Sequence, residues 1–165
     1  MPPLIRPLDP VADLPAVEAL YQAAADFWTL TDRHPPDAAA ARSFFTNAPP
    51  GSDPARSQRL GLFVQSTLCG VAELAFDYPE PNDGFLGLML LAPDARGRGL
   101  GPALLQEVVA RARAAGCPRL LLAVLQENPR ARAFWERQGF RPTGIHRFDA
   151  TTRHILHRLA MRLPA

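Results

Sequence analysis

Lysine is absent from this chain of 165 residues, and all 18 of its basic side chains are arginine. Covalent chemistry through a lysine amine is therefore excluded, and so is the P-loop, whose Gly-Lys-Ser/Thr sequence binds nucleoside phosphates. Guanidinium groups suit phosphate recognition, although the many alanines and prolines beside them also indicate a general bias in composition. The formal net charge of +2 predicts no general attraction to nucleic acid or to a membrane surface.

Cysteine is scarce, with Cys69 in a predicted strand and Cys117 at the entrance of another. Two cysteines do not make a disulfide framework, and with four scattered histidines they offer no metal-ligand spacing. No apolar run has the length that a bilayer requires, and the first residues lack a signal-peptide pattern. The length suits one core. We therefore expect a single cytoplasmic domain over residues 1–165 that binds no metal.

Apolar periodicity and turn residues predict one mixed α/β domain. The predicted strands span Leu4–Leu8, Arg59–Gln65, Leu68–Tyr78, Phe85–Leu91, Arg119–Leu125, Phe140–Phe148 and His154–Leu163. The predicted helices span Asp9 to about Phe27 or Trp28, Asp37–Phe45, a segment from the Gly-rich loop to Gly116, and Pro129–Gln138. The strand, crossover helix and strand between residues 85 and 125 form a βαβ unit, which predicts a parallel pair in an otherwise antiparallel sheet.

A Gly-rich loop, Arg96-Gly97-Arg98-Gly99-Leu100-Gly101, lies between a buried strand and a helix. The first N–H groups of a helix are unpaired and carry partial positive charge, so they bind anions through the backbone alone. Alternating glycines do not fit the Gly-x-Gly-x-x-Gly pattern of dinucleotide sites. On its own, the loop is consistent with a phosphate site or with a plain turn that connects strand and helix.

Two segments resemble the GCN5-related N-acetyltransferase (GNAT) superfamily, and the resemblance covers roughly residues 85–148. The segment 90–105 is similar to the family's acetyl-CoA-binding segment, Arg/Gln-x-x-Gly-x-Gly/Ala, which Arg96, Gly99 and Gly101 satisfy. The segment 128–140 is similar to a second family segment in the expected order. The resemblance implies helices on both faces of the sheet and a central parallel pair that splays around the cofactor. It also implies direct transfer of acetyl from acetyl-CoA to a primary amine.

The resemblance assigns the cofactor contacts to three places. Backbone groups of Met89, Leu90 and Leu91 are expected to face pantetheine and the acyl carbonyl. The amides of Arg96, Gly97, Arg98, Gly99, Leu100 and Gly101 are expected to hold the pyrophosphate. Asn128 is expected to bind the pantetheine arm, to cap the helix that starts at Pro129, or both. Phe134 and Trp135 are placed against the cofactor, or for Trp135 in the core.

The chain departs from the family pattern at its catalytic positions. Trp135 stands where many relatives have a tyrosine that protonates the leaving thiolate, and no glutamate occurs on the strand 85–91. Strand alternation predicts that Glu73 and Asp77 share one face of an apolar strand, so we expect Glu73, or else Asp77, to act as the base through a water. An ion pair between Glu73 and an arginine is an equal alternative. Tyr78 is a candidate acid.

The acceptor site is predicted only in outline. In the family it lies between the first helices and the loop before the cofactor strand, which here contains Phe27, Trp28, Tyr78, Glu80 and Asp83. Aromatic rings and carboxylates suit a cationic amine, but the same residues also suit a cover over the core. We expect a small-molecule or peptide amine as partner, no nucleic acid and no membrane, with a homodimer left open. The alternative function is a catalytically idle CoA-binding sensor or interaction module.

Overall fold

A seven-stranded sheet organises the chain in the computed structural model, which describes residues 2–164. Its strands are β1 (Leu4–Pro7), β2 (Gln58–Val64), β3 (Thr67–Phe76), β4 (Gly84–Leu91), β5 (Arg119–Leu125), β6 (Arg141–Phe148) and β7 (Ile155–Arg162). The helices are α1 (Leu14–Ala23), α2 (Ala25–Asp32), α3 (Ala38–Phe44), α4 (Leu100–Ala114) and α5 (Pro129–Arg137), and a 3-10 turn covers Pro93–Ala95. Within residues 2–164, no helix combines the length and the apolar character needed to cross a membrane.

The strands lie in the order β1-β2-β3-β4-β5-β7-β6, and neighbours are antiparallel except for β4 and β5. This arrangement confirms the predicted parallel pair and the mixed α/β class. The parallel pairing is short, because only Gly84 with Leu120 and Phe85 with Leu121 are in register. Beyond Phe85 the two strands part, so the second half of β4 has no strand beside it on the β5 side.

Local sequence fixes where several helices begin. The carboxylate of Asp37 accepts hydrogen bonds from the amides of Ala39 and Ala40 at the start of α3. The side chain of Asn128 accepts from the amide of Ala131, with Pro129 at the first position of α5. Both are the expected roles of short polar side chains at helix N-termini. The structure therefore confirms the capping alternative for Asn128.

The first predicted helix is divided in two, which the sequence pattern did not reveal. The helix α1 ends at Ala23, and α2 starts at Ala25 after a turn at the buried residue Ala24. Hydrogen bonds still run from the Ala24 amide to the Leu20 carbonyl and from the Phe27 amide to the Ala24 carbonyl. Because helix-like bonding continues through the turn, the apolar periodicity is preserved and hides the break.

The two faces of β3 have different neighbours. A methyl group added at Gly70 would meet the side chain of Leu104 on α4, so Gly70 faces that helix. Because side chains alternate along a strand, Glu73 points to the opposite face. That face carries a cluster of Ala75, Phe85 and Leu121, extended by Tyr78 and Ala160. The main core joins β2, β3 and β5 to α1 and α4.

Candidate active site

The loop before α4 has the geometry of an anion-binding site. Gly97 and Gly99 adopt positive φ angles of 74° and 76°, and open space lies where a side chain would project from either residue. Gly99 is the residue that immediately precedes the first turn of α4. The unpaired amides of that turn and the positive end of the helix therefore face open space, as binding of a phosphate requires.

Gly101 allows a close contact between two helices. A methyl group at Gly101 would lie 3.3 Å from the ring of Phe134 on α5, so this ring packs directly on the first turn of α4. Trp135 beside it is buried and makes edge contacts with Phe134 and Phe140, at centroid distances of 5.0 and 5.6 Å. The ring of Phe134 thus supports the loop, while Trp135 belongs to the core and borders the cavity described below.

The side chain of Arg96 joins the loop to α2. Its guanidinium donates to both carboxylate oxygens of Asp26, at 2.8 and 3.3 Å, and its Nε donates to the carbonyl of Leu91 at 3.3 Å. The bond to Arg96 is the main reason that the pKa of Asp26 is lowered. The Gly-rich loop and α2 are therefore tied together by an exposed ion pair.

The free half of β4 exposes its backbone to the gap beside β5. The amide of Ala92 donates to the carbonyl of Cys69 on β3, so Ala92 and, by alternation, Leu90 direct their peptide groups toward β3. Met89 and Leu91 consequently direct theirs into the gap. Of the three residues predicted to offer backbone groups to a ligand, the structure brings Met89 and Leu91 to the gap and turns Leu90 away.

A cavity of about 760 Å³ opens at this gap and extends beneath α1, α2 and α3. It contains seven of the residues singled out in the sequence. They are Phe27, Trp28, Glu73, Tyr78, Met89, Asn128 and Trp135. The predicted acceptor aromatics, the predicted base and part of the predicted cofactor site therefore border one continuous space.

Glu73 is the buried carboxylate of this cavity. Its side chain is 6% exposed, and burial raises its pKa to about 7, with Arg59 opposing the shift. Arg59 lies opposite Glu73 on β2, but its guanidinium donates to the carbonyls of Phe44, Asn47 and Pro54. The predicted alternative, an ion pair of Glu73 with an arginine, is therefore not formed among residues 2–164, and Glu73 borders the cavity.

Gly87 provides the room that Glu73 occupies. The pairing of β3 with β4 shifts register between Glu73 and Leu74, which leaves Gly87 as an extra residue in β4. A methyl group at Gly87 would lie 2.7 Å from Oε1 of Glu73, so only glycine admits the carboxylate in this position. Gly87 was not identified from the sequence, because a glycine in an apolar strand signals a bulge without naming its neighbour.

The other three predicted carboxylates lie outside the cavity. Asp77 has a φ of 62°, which ends the alternation of β3, and its carboxylate binds Arg56 and the amide of Asn82. The prediction that Asp77 shares a face with Glu73 was wrong for this reason. Asp83 is buried against the guanidinium of Arg119, at 2.8 and 2.9 Å.

Glu80 is exposed, and its amide donates to the carboxylate of Asp83. The turn between β3 and β4 therefore uses Asp83 to hold its own backbone and to anchor β5 through Arg119. Neither Glu80 nor Asp83 is brought to the space that Glu73 borders. Both acidic residues belong to the turn between β3 and β4, and neither borders the cavity.

Tyr78 reaches the cavity from the same turn. Its ring packs edge-on against Phe85 at 4.9 Å, and its hydroxyl accepts a hydrogen bond of 3.1 Å from the guanidinium of Arg158 on β7. The guanidinium carbon of Arg158 lies 5.4 Å from the centre of the Tyr78 ring. Arg158 was not identified from the sequence, because its contact with Tyr78 joins residues 80 positions apart that only the order of strands in the sheet brings together.

Two further cavity residues come from the first helices. Tyr21 on α1 is buried with its ring 4.6 Å from that of Trp28, and burial followed by Glu73 and Asp32 raises its pKa. Within residues 2–164, the indole nitrogen of Trp28 and the hydroxyl of Thr31 are buried without a hydrogen-bond partner. Both residues border the cavity, but the two polar atoms themselves are covered and do not face its open space.

Comparisons with known proteins agree with this geometry. A family model described as the acetyltransferase (GNAT) family matches residues 17–140. The L-methionine sulfoximine/L-methionine sulfone acetyltransferase of Pseudomonas aeruginosa is 30% identical over 141 residues, which are 81% of this chain and 78% of that protein. An acetyltransferase of Thermus thermophilus has a similar crystal structure, with a TM-score of 0.78, 25% identity, and coverage of 99% of this chain and 98% of that one.

A shorter match involves a longer protein. The mycothiol acetyltransferase of Beutenbergia cavernae is 38% identical over 76 residues, which are 46% of this chain and 26% of that protein. The family model spans three quarters of the present chain and includes both the Gly-rich loop and the strand that carries Glu73. Together with the splayed β4–β5 pair and the glycine loop before α4, this match shows that the chain belongs to the GNAT family of acetyltransferases.

Proposed function

We propose that this chain is an acetyl-CoA-dependent N-acetyltransferase that acts on the primary amine of a small molecule. The observation that carries the proposal is the position of Glu73, a buried carboxylate with a pKa of about 7 beside the gap between β4 and β5. A carboxylate with that pKa serves as a base near neutral pH. An idle CoA-binding module would have no use for such a costly buried group.

The residues present fit two parts of the CoA molecule, its pyrophosphate and its pantetheine arm. The amides at the start of α4 suit its pyrophosphate, and the gap-facing backbone of Met89 and Leu91 suits the amide-containing pantetheine arm. The chemistry that acetyl-CoA supplies when bound is an activated acetyl group on a thioester. The gap leads from the loop to Glu73, so a molecule held at both places extends its thioester toward the base.

Glu73 is proposed to take the proton of the acceptor amine. A primary alkylammonium has a pKa near 10 and cannot attack until it loses a proton. A carboxylate with a pKa of about 7 is ionised often enough near neutral pH to accept that proton. The neutral nitrogen would then form its bond to the acetyl carbon as the carbon–sulfur bond breaks and the electron pair of that bond leaves with the sulfur. The second proton, which the nitrogen loses as it becomes an amide, would pass to solvent water. The amide of Met89, which faces the gap, is the proposed donor to the carbonyl oxygen.

The leaving sulfur is proposed to depart as a thiolate. Trp135 occupies a buried position among aromatic rings, and an indole N–H is not a usable acid at neutral pH. Thiols ionise at modest pKa values, so departure without a proton donor is chemically reasonable. Small-molecule acceptors are favoured over protein chains because the acceptor end lies beneath three helices. The relative that acts on methionine derivatives is consistent with a small amine.

The test is acetyl-CoA consumption with a panel of primary amines, followed by release of free thiol across the range from acidic to basic pH. For an accepted amine, wild-type kcat/KM should rise with pH through about 7 as Glu73 loses its proton. Glu73→Gln, which keeps the shape and removes the base, should lower kcat by about 10²- to 10⁴-fold and abolish that rise. Calorimetric titration of both proteins with CoA is the control, and the two affinities should agree.

Two results would count against the proposal. Thiol release that no amine accelerates, in a protein that binds CoA, would favour the idle module. An accelerated release whose pH profile is the same in Glu73→Gln would leave the enzyme in place but remove Glu73 from the chemistry.

A further inference from the structure

Four residues form a row across the face of the sheet that borders the cavity. Ala75, Phe85, Leu121 and Ala160 are successive partners across β3, β4, β5 and β7, and they pack together on one face. Two residues further along each strand, alternation brings the next row to the same face. That row is Glu73, Gly87, Ala123 and Arg158, of which Ala123 and Arg158 are direct partners.

The row has a charged residue at each end and the smallest residues between them. Three strand spacings of about 4.8 Å separate its ends by about 14 Å at the backbone, and the parting of β4 and β5 widens this. Both long side chains belong to the cavity wall, so the space above Gly87 and Ala123 lies between a carboxylate and a guanidinium. A molecule with an amine and an anionic group matches this order of charges.

Arg158 differs from the other arginines of the chain. Within residues 2–164, seven arginines lie within 4.0 Å of a carboxylate, and Arg158 is not among them. Of those without a carboxylate, Arg59 and Arg158 are half-buried, and Arg59 donates to three carbonyls. The hydrogen bond of Arg158 to the neutral hydroxyl of Tyr78 leaves most of its five N–H donors for another partner.

A half-buried guanidinium without a counter-charge is unfavourable, and a carboxylate is the anion whose two oxygens match its planar fork. The phenol of Tyr78 strengthens this preference. Because its oxygen accepts from Arg158, its own hydrogen is free to donate to the same anion. One guanidinium and one phenol supply the two or three hydrogen-bond donors that a carboxylate needs. The three oxygens of a phosphate would need more donors than these two side chains supply.

We propose that the acceptor is an amino acid or a close analogue, whose carboxylate binds Arg158 and Tyr78 while its amine faces Glu73. This inference rests on the proposed N-acetyltransferase function and specifies its substrate class. The rings of Phe27 and Trp28 border the same space and provide an apolar surface for the amino-acid side chain.

The experiment compares each of the common amino acids with its carboxamide, at saturating acetyl-CoA and mildly basic pH, by release of free thiol. The amine of a carboxamide is less basic and therefore more often in its reactive form, so a preference for the acid reports binding of the carboxylate. For the preferred side chain, kcat/KM should be at least about tenfold higher for the acid. Arg158→Met should lower it by about 10- to 100-fold for the acid and leave the carboxamide nearly unchanged.

Arg162→Met is the matched control, because Arg162 lies on the same strand, is exposed and is not a cavity residue. It should retain the preference for the acid. Arg158→Lys should recover part of it by restoring the charge without the fork. CoA affinity measured for each variant excludes loss of folding as the cause.

The outcomes separate the two proposals. The amino-acid assignment would be overturned if the protein accepted amines without preferring those that carry a carboxylate. It would also be overturned if Arg158→Met kept that preference. Either result would leave the proposed acetyltransferase function intact. If no amine of either series accelerates thiol release, the N-acetyltransferase proposal fails and the amino-acid assignment fails with it.

Discussion

The proposed phosphate loop and the proposed acceptor end of the cavity are built by opposite means. The loop consists of six consecutive residues, 96–101, and the groups proposed to bind phosphate are backbone amides at the start of one helix. The acceptor end is assembled from side chains on four strands and from the three helices α1, α2 and α3 that cover it. One site is local and made of backbone, whereas the other depends on strand register and on which side chains the register places together.

This difference determines how each site responds to changes in side chains. Backbone amides present the same donors whatever the side chains are, so a loop of this kind suits one ligand in many proteins. Side chains on paired strands can change one at a time without disturbing the loop. We therefore expect changes in the loop to affect CoA affinity and changes in the row from Glu73 to Arg158 to affect turnover and acceptor choice.

Gly99→Glu is the strongest test of this separation. The position has a φ of 76°, which costs a non-glycine residue about 1 to 2 kcal/mol, and the new carboxylate would repel a pyrophosphate. The free loop can relieve the strain by leaving the conformation that binds CoA, so both effects weaken binding. We expect a combined loss of about 3 kcal/mol of binding free energy, which is a roughly 100-fold higher Kd for CoA by calorimetry.

Gly116→Glu is its control, because Gly116 has a φ of 82° and open surroundings at the other end of α4. It introduces the same strain and charge away from the loop, so CoA affinity should be unchanged. Equal losses in both variants would show that the effect is general strain, and unchanged affinity in Gly99→Glu would remove the pyrophosphate from this loop.

Most of the fold could be predicted because its signals are local. The apolar runs of β4 and β5 with a helix between them specified a parallel pair, and turn residues placed the meander before it. The break at Ala24 was missed because the periodicity passes through it. The end of β3 was placed two residues late, because the positive φ of Asp77 depends on a turn that its side chain stabilises.

Residues of the site could be predicted where their type was unusual for the surrounding sequence. Glu73 was identified because a carboxylate within an apolar strand requires a reason. Asp83 is just as acidic, but its partner Arg119 is 36 residues away, and the sequence contains no sign of that ion pair. Gly87 and Arg158 were missed because their roles arise from a bulge and from the pairing of distant strands.

The burial of Glu73 also predicts how stability depends on pH. The folded protein keeps a proton on Glu73 up to pH of about 7, whereas an unperturbed glutamate has a pKa of 4.5. Between these values the unfolded chain binds fewer protons than the folded one, so this residue lowers the free energy of unfolding as pH rises. The loss should reach about 3 kcal/mol and level off above a pH of about 7.

Urea unfolding of wild type and Glu73→Gln at about pH 5 and about pH 8 measures this loss. Glutamine does not titrate, so only wild type should lose stability through this residue between about pH 5 and about pH 8. The free energy of unfolding of the variant minus that of wild type should therefore be larger at the higher pH. A constant difference between the two proteins under both conditions would mean that Glu73 is hydrated and has an ordinary pKa.

Gly87→Ala tests the contact that links two strands at the acceptor end. The added methyl group would lie 2.7 Å from Oε1 of Glu73, so the carboxylate must move by several tenths of an ångström. We expect a loss of about tenfold in kcat, because a displaced base transfers protons less efficiently, with no change in CoA affinity.

A double-mutant cycle shows whether that loss passes through Glu73. In the Glu73→Gln background there is no base to displace, so adding Gly87→Ala should cost little further activity, and the two changes should be strongly non-additive. If instead the alanine lowered kcat equally in both backgrounds, the bulge in β4 would act on the backbone at Leu88 and Met89. The acceptor end would then resemble the phosphate loop in depending on the course of the main chain.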